Sequence, residues 1–274
     1  MYSAIFSRTY PMKSIAEVLD AVVADGFEGI QANLSSAGLA SLPETLPAEI
    51  GIGSAANARG LRIAALSGTY NMAHPDARVR QESRVGFQNV VKAAREMGTS
   101  VVTLCTGSRD PQDMWKFHQG NNSLEAWNDL CAELEFALHL AQDANIYLAI
   151  EPEPANVIRD AKAADRLLKL IASEHLGIIL DAANLLTSES LSRQHEVMTE
   201  AAELLGSALL LAHAKDIDAS GNVVAPGEGA VDLLAFARTL RSLGYDGALI
   251  AHGFAADKTG VAAKTLQRII GESA

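Results

Sequence analysis

Four apolar runs in the second half of the chain each stop on an ionisable side chain. Ile-Tyr-Leu-Ala-Ile (146–150) ends on Glu151-Pro152-Glu153-Pro154, and Leu-Gly-Ile-Ile-Leu (176–180) ends on Asp181-Ala182-Ala183-Asn184. The next two runs end on His213-Ala214-Lys215-Asp216 and on His252-Gly253. Glu151, Asp181 and His213 together make a mixed carboxylate–imidazole donor set. Such a set suits a divalent Mn, Co, Mg, Zn or Fe ion with positions left for substrate oxygens. Taken singly, each of the three also reads as a strand-end cap or the partner of a nearby lysine or arginine.

The segment after residue 105 carries a second group of candidates: Thr106-Gly107-Ser108-Arg109-Asp110, then Trp115, His118, Asn121 and Asn122. Arg109 offers a planar fork for a substrate carboxylate or phosphate, and Trp115 a face for a sugar ring. This long loop reads as a lid over the site, or as a solvated loop whose Trp115 and Phe117 pack on a helix or another subunit. Asn71 and His74, in Ser67–Asp76, are further candidates for substrate contact. Lys215 reads as an oxyanion donor or as the counter-charge of Asp181 or Glu153. His139, His175 and His195 fall in helical or connecting stretches and read as structural or solvent-facing. Gly227 and Gly229 come too late and too close together for a phosphate-binding fingerprint.

These residues need a scaffold, and the chain repeats one unit: a short apolar run, a polar loop, an amphipathic stretch. Strands are expected at about 3–6, 28–33, 61–67, 100–106, 146–151, 176–181, 208–214 and 247–252. Continuous apolar runs of this kind suit a parallel sheet buried on both faces. Helices fit 14–25, 77–97, 123–143, 161–173, 191–205, 230–243 and 257–271, several of them ending at a glycine. Eight strands alternating with helices predict an α/β fold, a (β/α)8 TIM barrel in a single domain over 1–274. An open doubly wound sheet is the alternative, but no Gly-x-Gly-x-x-Gly follows the first strand.

Composition narrows the partners. With 33 acidic residues against 22 basic ones the formal charge is −11, which opposes binding to a phosphate backbone. Cys105 and Cys131 form no CxxC pair, so a disulfide framework and a thiolate cluster are both excluded. The N-terminus lacks the pattern of a secretion signal and no apolar run reaches about 18 residues, so a cytoplasmic protein without membrane partners is expected.

Ile-Glu-Pro-Glu (150–153), Leu-Asp-x-x-Asn (180–184), His-x-Lys-Asp (213–216) and Pro-Gly-Glu-Gly-Ala-Val-Asp (226–232) resemble the sugar phosphate isomerase/epimerase family. That family shares the xylose isomerase-like TIM barrel with ketose 3-epimerases, hydroxypyruvate isomerase, inosose dehydratase and endonuclease IV. The resemblance implies a divalent metal (Mn, Mg, Co or Zn) on Glu151, Asp181 and His213. Two departures stand out. The family usually places a glutamate ligand at the end of the eighth strand, where this chain has His252, either a fourth ligand or an acid/base. Epimerases often show Asp-x-x-His at the sixth strand, where Asn184 can position a hydroxyl but cannot titrate.

The resemblance therefore implies a metal-dependent isomerase or epimerase of a hydroxy-carbonyl sugar, working through an enediolate. Glu151 would serve both metal and proton, with Glu153 or His252 as catalytic partner and Arg109, Trp115, His118, Asn184, Asn71, His74 and Lys215 around the substrate. A dehydratase of a keto-polyol is the alternative. A phosphodiester hydrolase like endonuclease IV lacks its histidine cluster here, and a non-catalytic sugar-binding barrel is a further reading. The small-molecule partner is a sugar or sugar derivative, with no nucleic acid, in a homodimer or homotetramer.

Overall fold

Val, Ile, Leu and Ala dominate the short runs, and such segments pair in parallel when helices cover one face and side chains fill the other. In this computed structural model, which describes residues 1–12 and 14–274, eight of them close into a barrel. The strands are β1 (Tyr2–Phe6), β2 (Gly29–Ala32), β3 (Arg62–Ser67), β4 (Val101–Leu104), β5 (Tyr147–Ile150), β6 (Leu176–Asp181), β7 (Leu209–His213) and β10 (Ala248–Ala251). Around the ring the order is β1-β10-β7-β6-β5-β4-β3-β2, all parallel. Because β1 pairs with both β2 and β10, the sheet is closed and an open doubly wound arrangement is excluded. A two-stranded antiparallel ribbon, β8 (Asp216–Ile217) with β9 (Val223–Val224), sits outside the ring.

The helices are α1 (Ile15–Asp25), α2 (Ile52–Asn57), α3 (Ala77–Met97), α4 (Leu124–Ala144), α5 (Ala161–Ile171), α6 (Gln194–Leu205), α7 (Leu233–Ser242) and α8 (Thr259–Glu272). Caps set their starts: Asp76, Ser123, Asp160 and Asp232 each accept a hydrogen bond from a backbone N–H in the first turn. The periodicity gives no warning of α2. It is six residues long and follows a Pro- and Ser-rich excursion, with Gly51 in a left-handed conformation (φ 73°) at its start. Among the described residues no helix is long and apolar enough to cross a membrane.

Two apolar layers form. The outer one joins strand residues such as Leu148, Ile150, Ile178 and Leu249 to helix residues such as Phe87, Leu134, Phe236 and Leu266. Burying each of these contributes about 1.5–3 kcal/mol, so this layer carries most of the fold. The inner layer is small: Ala4, Ala65, Ala149, Ile179, Leu211, Ala248 and Ile250. Side chains alternate across a strand, so the residue two positions beyond an inner one points to the barrel axis again, one level nearer the C-terminal mouth. Ala149 leads to Glu151, Ile179 to Asp181, Leu211 to His213 and Ile250 to His252. The pleat alone brings four ionisable groups to one axis.

A candidate metal centre at the barrel mouth

The four side chains meet. Glu151, Asp181, His213 and His252 each offer one donor atom, and all four atoms lie within 4.8 Å of one another. Glu151, Asp181 and His213 are buried, and His252 nearly so. The Nε2 of His252 donates to Asp181 Oδ2 at 2.8 Å. His213 uses its Nε2–H on Gln31 Oε1 at 2.8 Å, and Gln31 Nε2 in turn donates to Thr103 Oγ1 at 3.2 Å. That bond fixes the ring and turns Nδ1 toward the carboxylates.

Nδ1 of His213 lies 3.3 Å from Glu151 Oε1 and 3.8 Å from Asp181 Oδ2. It is buried and has no hydrogen-bond partner among the described residues. Nδ1 facing two carboxylates calls for a cation between them, a proton in the metal-free protein or a metal ion in its place. The donor set thus fits a divalent ion.

Electrostatics follow from burial and mutual charge. Burial pushes the Glu151 carboxyl up, but His213 and His252 together offset it and hold the group below the usual range. Asp181 is likewise pushed up by burial and carried well below by Lys215 and His252. Burial lowers the His213 imidazole while Glu151 raises it, and the carboxylates win. His252 goes the other way, lowered by burial and by the His213 ring 4.4 Å away. Glu153 is raised, chiefly by burial, with Lys215 opposing and Glu151 reinforcing.

Around the centre is a cavity of about 530 Å³, within the range of small-molecule sites. Its walls include Glu153, Lys215, Trp115, Phe254 and Cys105. Asn184 is spent on the centre: its Nδ2 donates to Glu151 Oε1 at 2.8 Å, and its Oδ1 accepts from Lys215 Nζ. Lys215 Nζ also lies 3.9 Å from Glu153 and 4.0 Å from Asp181. Asp216 turns away from the centre and accepts from the backbone N–H groups of Gly227, Gly229 and Val231. A Cβ at Gly229 would collide with that carboxylate, so the glycines serve a turn and not a phosphate.

Four expected substrate contacts are placed elsewhere; none of them lines the cavity. Arg109 is buried, with its guanidinium on Asp129 Oδ2 (2.6 Å) and Glu125 Oε1 (2.8 Å). The placement has a simple cause: a buried guanidinium needs carboxylates, and α4 supplies two of them one turn apart. Asn71 clamps Ser108 by both its N–H and its C=O, at 3.0 and 2.8 Å. His74 bridges Asp76 N and Pro111 O. His118 caps the short turn Gln119–Asn122 through Gly120 N. With Asn121 and Asn156 also bonded to its backbone, the loop after β4 is a pinned wall in place of the expected lid. Trp115 of that loop does reach the cavity, half exposed.

Sequence reading missed Gln31, Thr103 and Cys105, whose thiol lies 3.7 Å from Glu151 Oε2. Only Gln31 leaves a trace: a lone amide in the otherwise apolar, fully buried β2.

A family model described as xylose isomerase-like TIM barrel matches residues 19–270. No curated protein sequence matches the chain. Among solved structures, a D-allulose 3-epimerase from Methylomonas sp. in complex with D-allulose aligns with a TM-score of 0.77 at 14% identity, covering 99% of this chain and 97% of that one. The IolI protein with a binding zinc atom aligns at 0.76 and 16% identity, over 100% and 99%. The probable 3-DHS dehydratase AsbF of Bacillus anthracis aligns at 0.75 and 16%, over 97% and 99%. At these identities the likeness is one of fold.

Proposed function

The chain belongs to the xylose isomerase-like TIM barrel family, and from that premise we propose that it is a divalent-metal-dependent isomerase or epimerase of a hydroxy-carbonyl sugar or sugar derivative. The observation that carries this reading is the convergence of four donor atoms within 4.8 Å, with His213 Nδ1 unpartnered among the described residues and aimed between Glu151 and Asp181. Glu151, Asp181, His213 and His252 would hold the ion. Two imidazoles beside two carboxylates suit Mn, Co or Zn better than Mg, whose sites are built from oxygen. When bound, such an ion would supply Lewis acidity to the substrate carbonyl and make the neighbouring C–H more acidic.

The chain's own residues do the rest. Gln31 and Asn184 orient His213 and Glu151 through their hydrogen bonds. Glu153, half-buried and held above the usual carboxylate range, takes a proton from substrate carbon and returns it at neutral pH. Lys215 Nζ donates toward the substrate oxygen on which negative charge develops. Trp115 and Phe254 wall the cavity and displace water from the reacting carbon.

His252 favours a second reading, a dehydratase, because elimination needs one base and one acid and not a pair of glutamates. One experiment separates the two. Metal-replete protein is incubated with a ketose and keto-polyol panel in D2O and followed by NMR and mass spectrometry. Isomerisation or epimerisation exchanges the C–H beside the carbonyl without loss of water; dehydration loses water. Neither event on any substrate, with the ion bound, would overturn the enzymatic reading.

A further inference from the structure

The cavity does not end at the four donors. It crosses the barrel mouth to the turn after β1, which contributes Arg8 and Thr9, and to the segment after β2, which contributes Asn33 and Ser41. In the ring order β1 stands four strands from β5 by either route, so Arg8 and Glu151 occupy opposite rims of one cavity. The other arginines near the mouth are neutralised: Arg80 and Arg109 by Asp129, Arg84 by Glu133. Lys215, the other lining cation, is committed to Asn184, Glu153 and Asp181. Arg8 is exposed and, among the described residues, has neither a carboxylate within ion-pair distance nor a hydrogen-bond partner. In a chain with 33 acidic and 22 basic residues, a cation left without a carboxylate in a cleft is unexpected.

We propose that Arg8 determines specificity for an anionic substrate: it takes the terminal carboxylate or phosphate of a molecule whose hydroxy-carbonyl end lies at the metal centre. This rests on the function proposed above. The guanidinium fork matches either group bidentately. Asn33 spends its Oδ1 on Ser35 N and Ser41 Oγ, which leaves its amide nitrogen as a second donor on the same wall. On the β5–β6 side the carboxylates Glu151, Glu153 and Asp181 already face the proposed ion and Lys215, so Arg8 across the mouth is the lining cation without a carboxylate among the described residues.

The test is equilibrium binding by calorimetry of D-fructose, D-fructose 6-phosphate and D-fructuronate to wild type, Arg8→Gln and Arg8→Lys, each with and without EDTA. One or both anions should bind wild type about tenfold or more tightly than D-fructose, the size expected for one charge-assisted hydrogen bond. Phosphate and carboxylate sources are told apart by which of the two does so. Arg8→Gln should collapse the anion-to-neutral affinity ratio about tenfold, Arg8→Lys should restore part of it, and added NaCl should shrink it in wild type. An unchanged ratio in Arg8→Gln, or no preference for either anion, overturns the inference. The EDTA arm reports separately on the metal: binding that depends on Arg8 but not on the ion would sink the proposed function and leave the anion site standing.

Discussion

The barrel mouth has two unlike halves. Four consecutive strands, β5, β6, β7 and β10, lead inward to Glu151, Asp181, His213 and His252. The other four, β1 to β4, present Phe6, Gln31, Ser67 and Thr103 to the same cavity, all uncharged. Backbone geometry is shared around the ring, so the fold offers eight equivalent inward positions and residue type alone divides them. The neutral half is not idle. Gln31 and Thr103 reach across to fix His213, and the turn after β1 carries Arg8. One side carries the four clustered donors, and the other orients one of them, His213, and closes the cleft.

The largest expected effect comes from breaking the charged half. Glu151→Gln should drop bound metal, read by elemental analysis, well below one ion per chain and lower turnover about 1000-fold or more, the loss of several kcal/mol. Full activity in that variant would refute the division of the mouth. Arg109→Ala tests the neutral half's support. Removing a buried guanidinium should destabilise the fold by about 3 kcal/mol in denaturant titrations while metal affinity stays unchanged; weakened substrate binding with unchanged stability would return Arg109 to the cleft.

Gln31→Ala should sit next in size, with metal affinity about 10–100-fold weaker because His213 loses its anchor. Thr103→Val should cost less, about 1 kcal/mol or a few-fold in metal affinity, and an effect equal to that of Gln31→Ala would mean that Thr103 acts by another route. The smallest effect is on the pH profile of metal-free protein. Glu151 and Asp181 are held below the usual range, so their stabilisation is present above the unfolded value of about 4 and is lost as pH falls through the folded one. His213 is raised, so its contribution is full below about 6.5 and is lost as pH rises through its folded value. The melting temperature should therefore fall on both sides of the window between them, and Asp181→Asn should flatten the acid limb.

Legibility differed between the two halves for a physical reason. An ionisable residue after a run of apolar ones, as at Glu151 and Asp181, stands out because burying a lone charge is costly. The loops after β3 and β4 were less legible for the opposite reason. Arg109, Asn71, His74 and His118 have the chemistry to meet a sugar, but the same groups also satisfy loop backbone and neighbouring carboxylates. Residue type does not say which. The six-residue α2 escaped because its single stripe is too short to show a period.

By itself the sequence determined the alternation of strand and helix and the positions where strands emerge, since both are set by local periodicity and by the cost of burying polar groups. Only tertiary structure decided which polar groups share a space. Closure of the ring set Gln31 against His213, 182 residues apart, and put Arg8 opposite Glu151. Such pairings depend on the order of strands around a circle, a quantity that no local pattern of residues encodes.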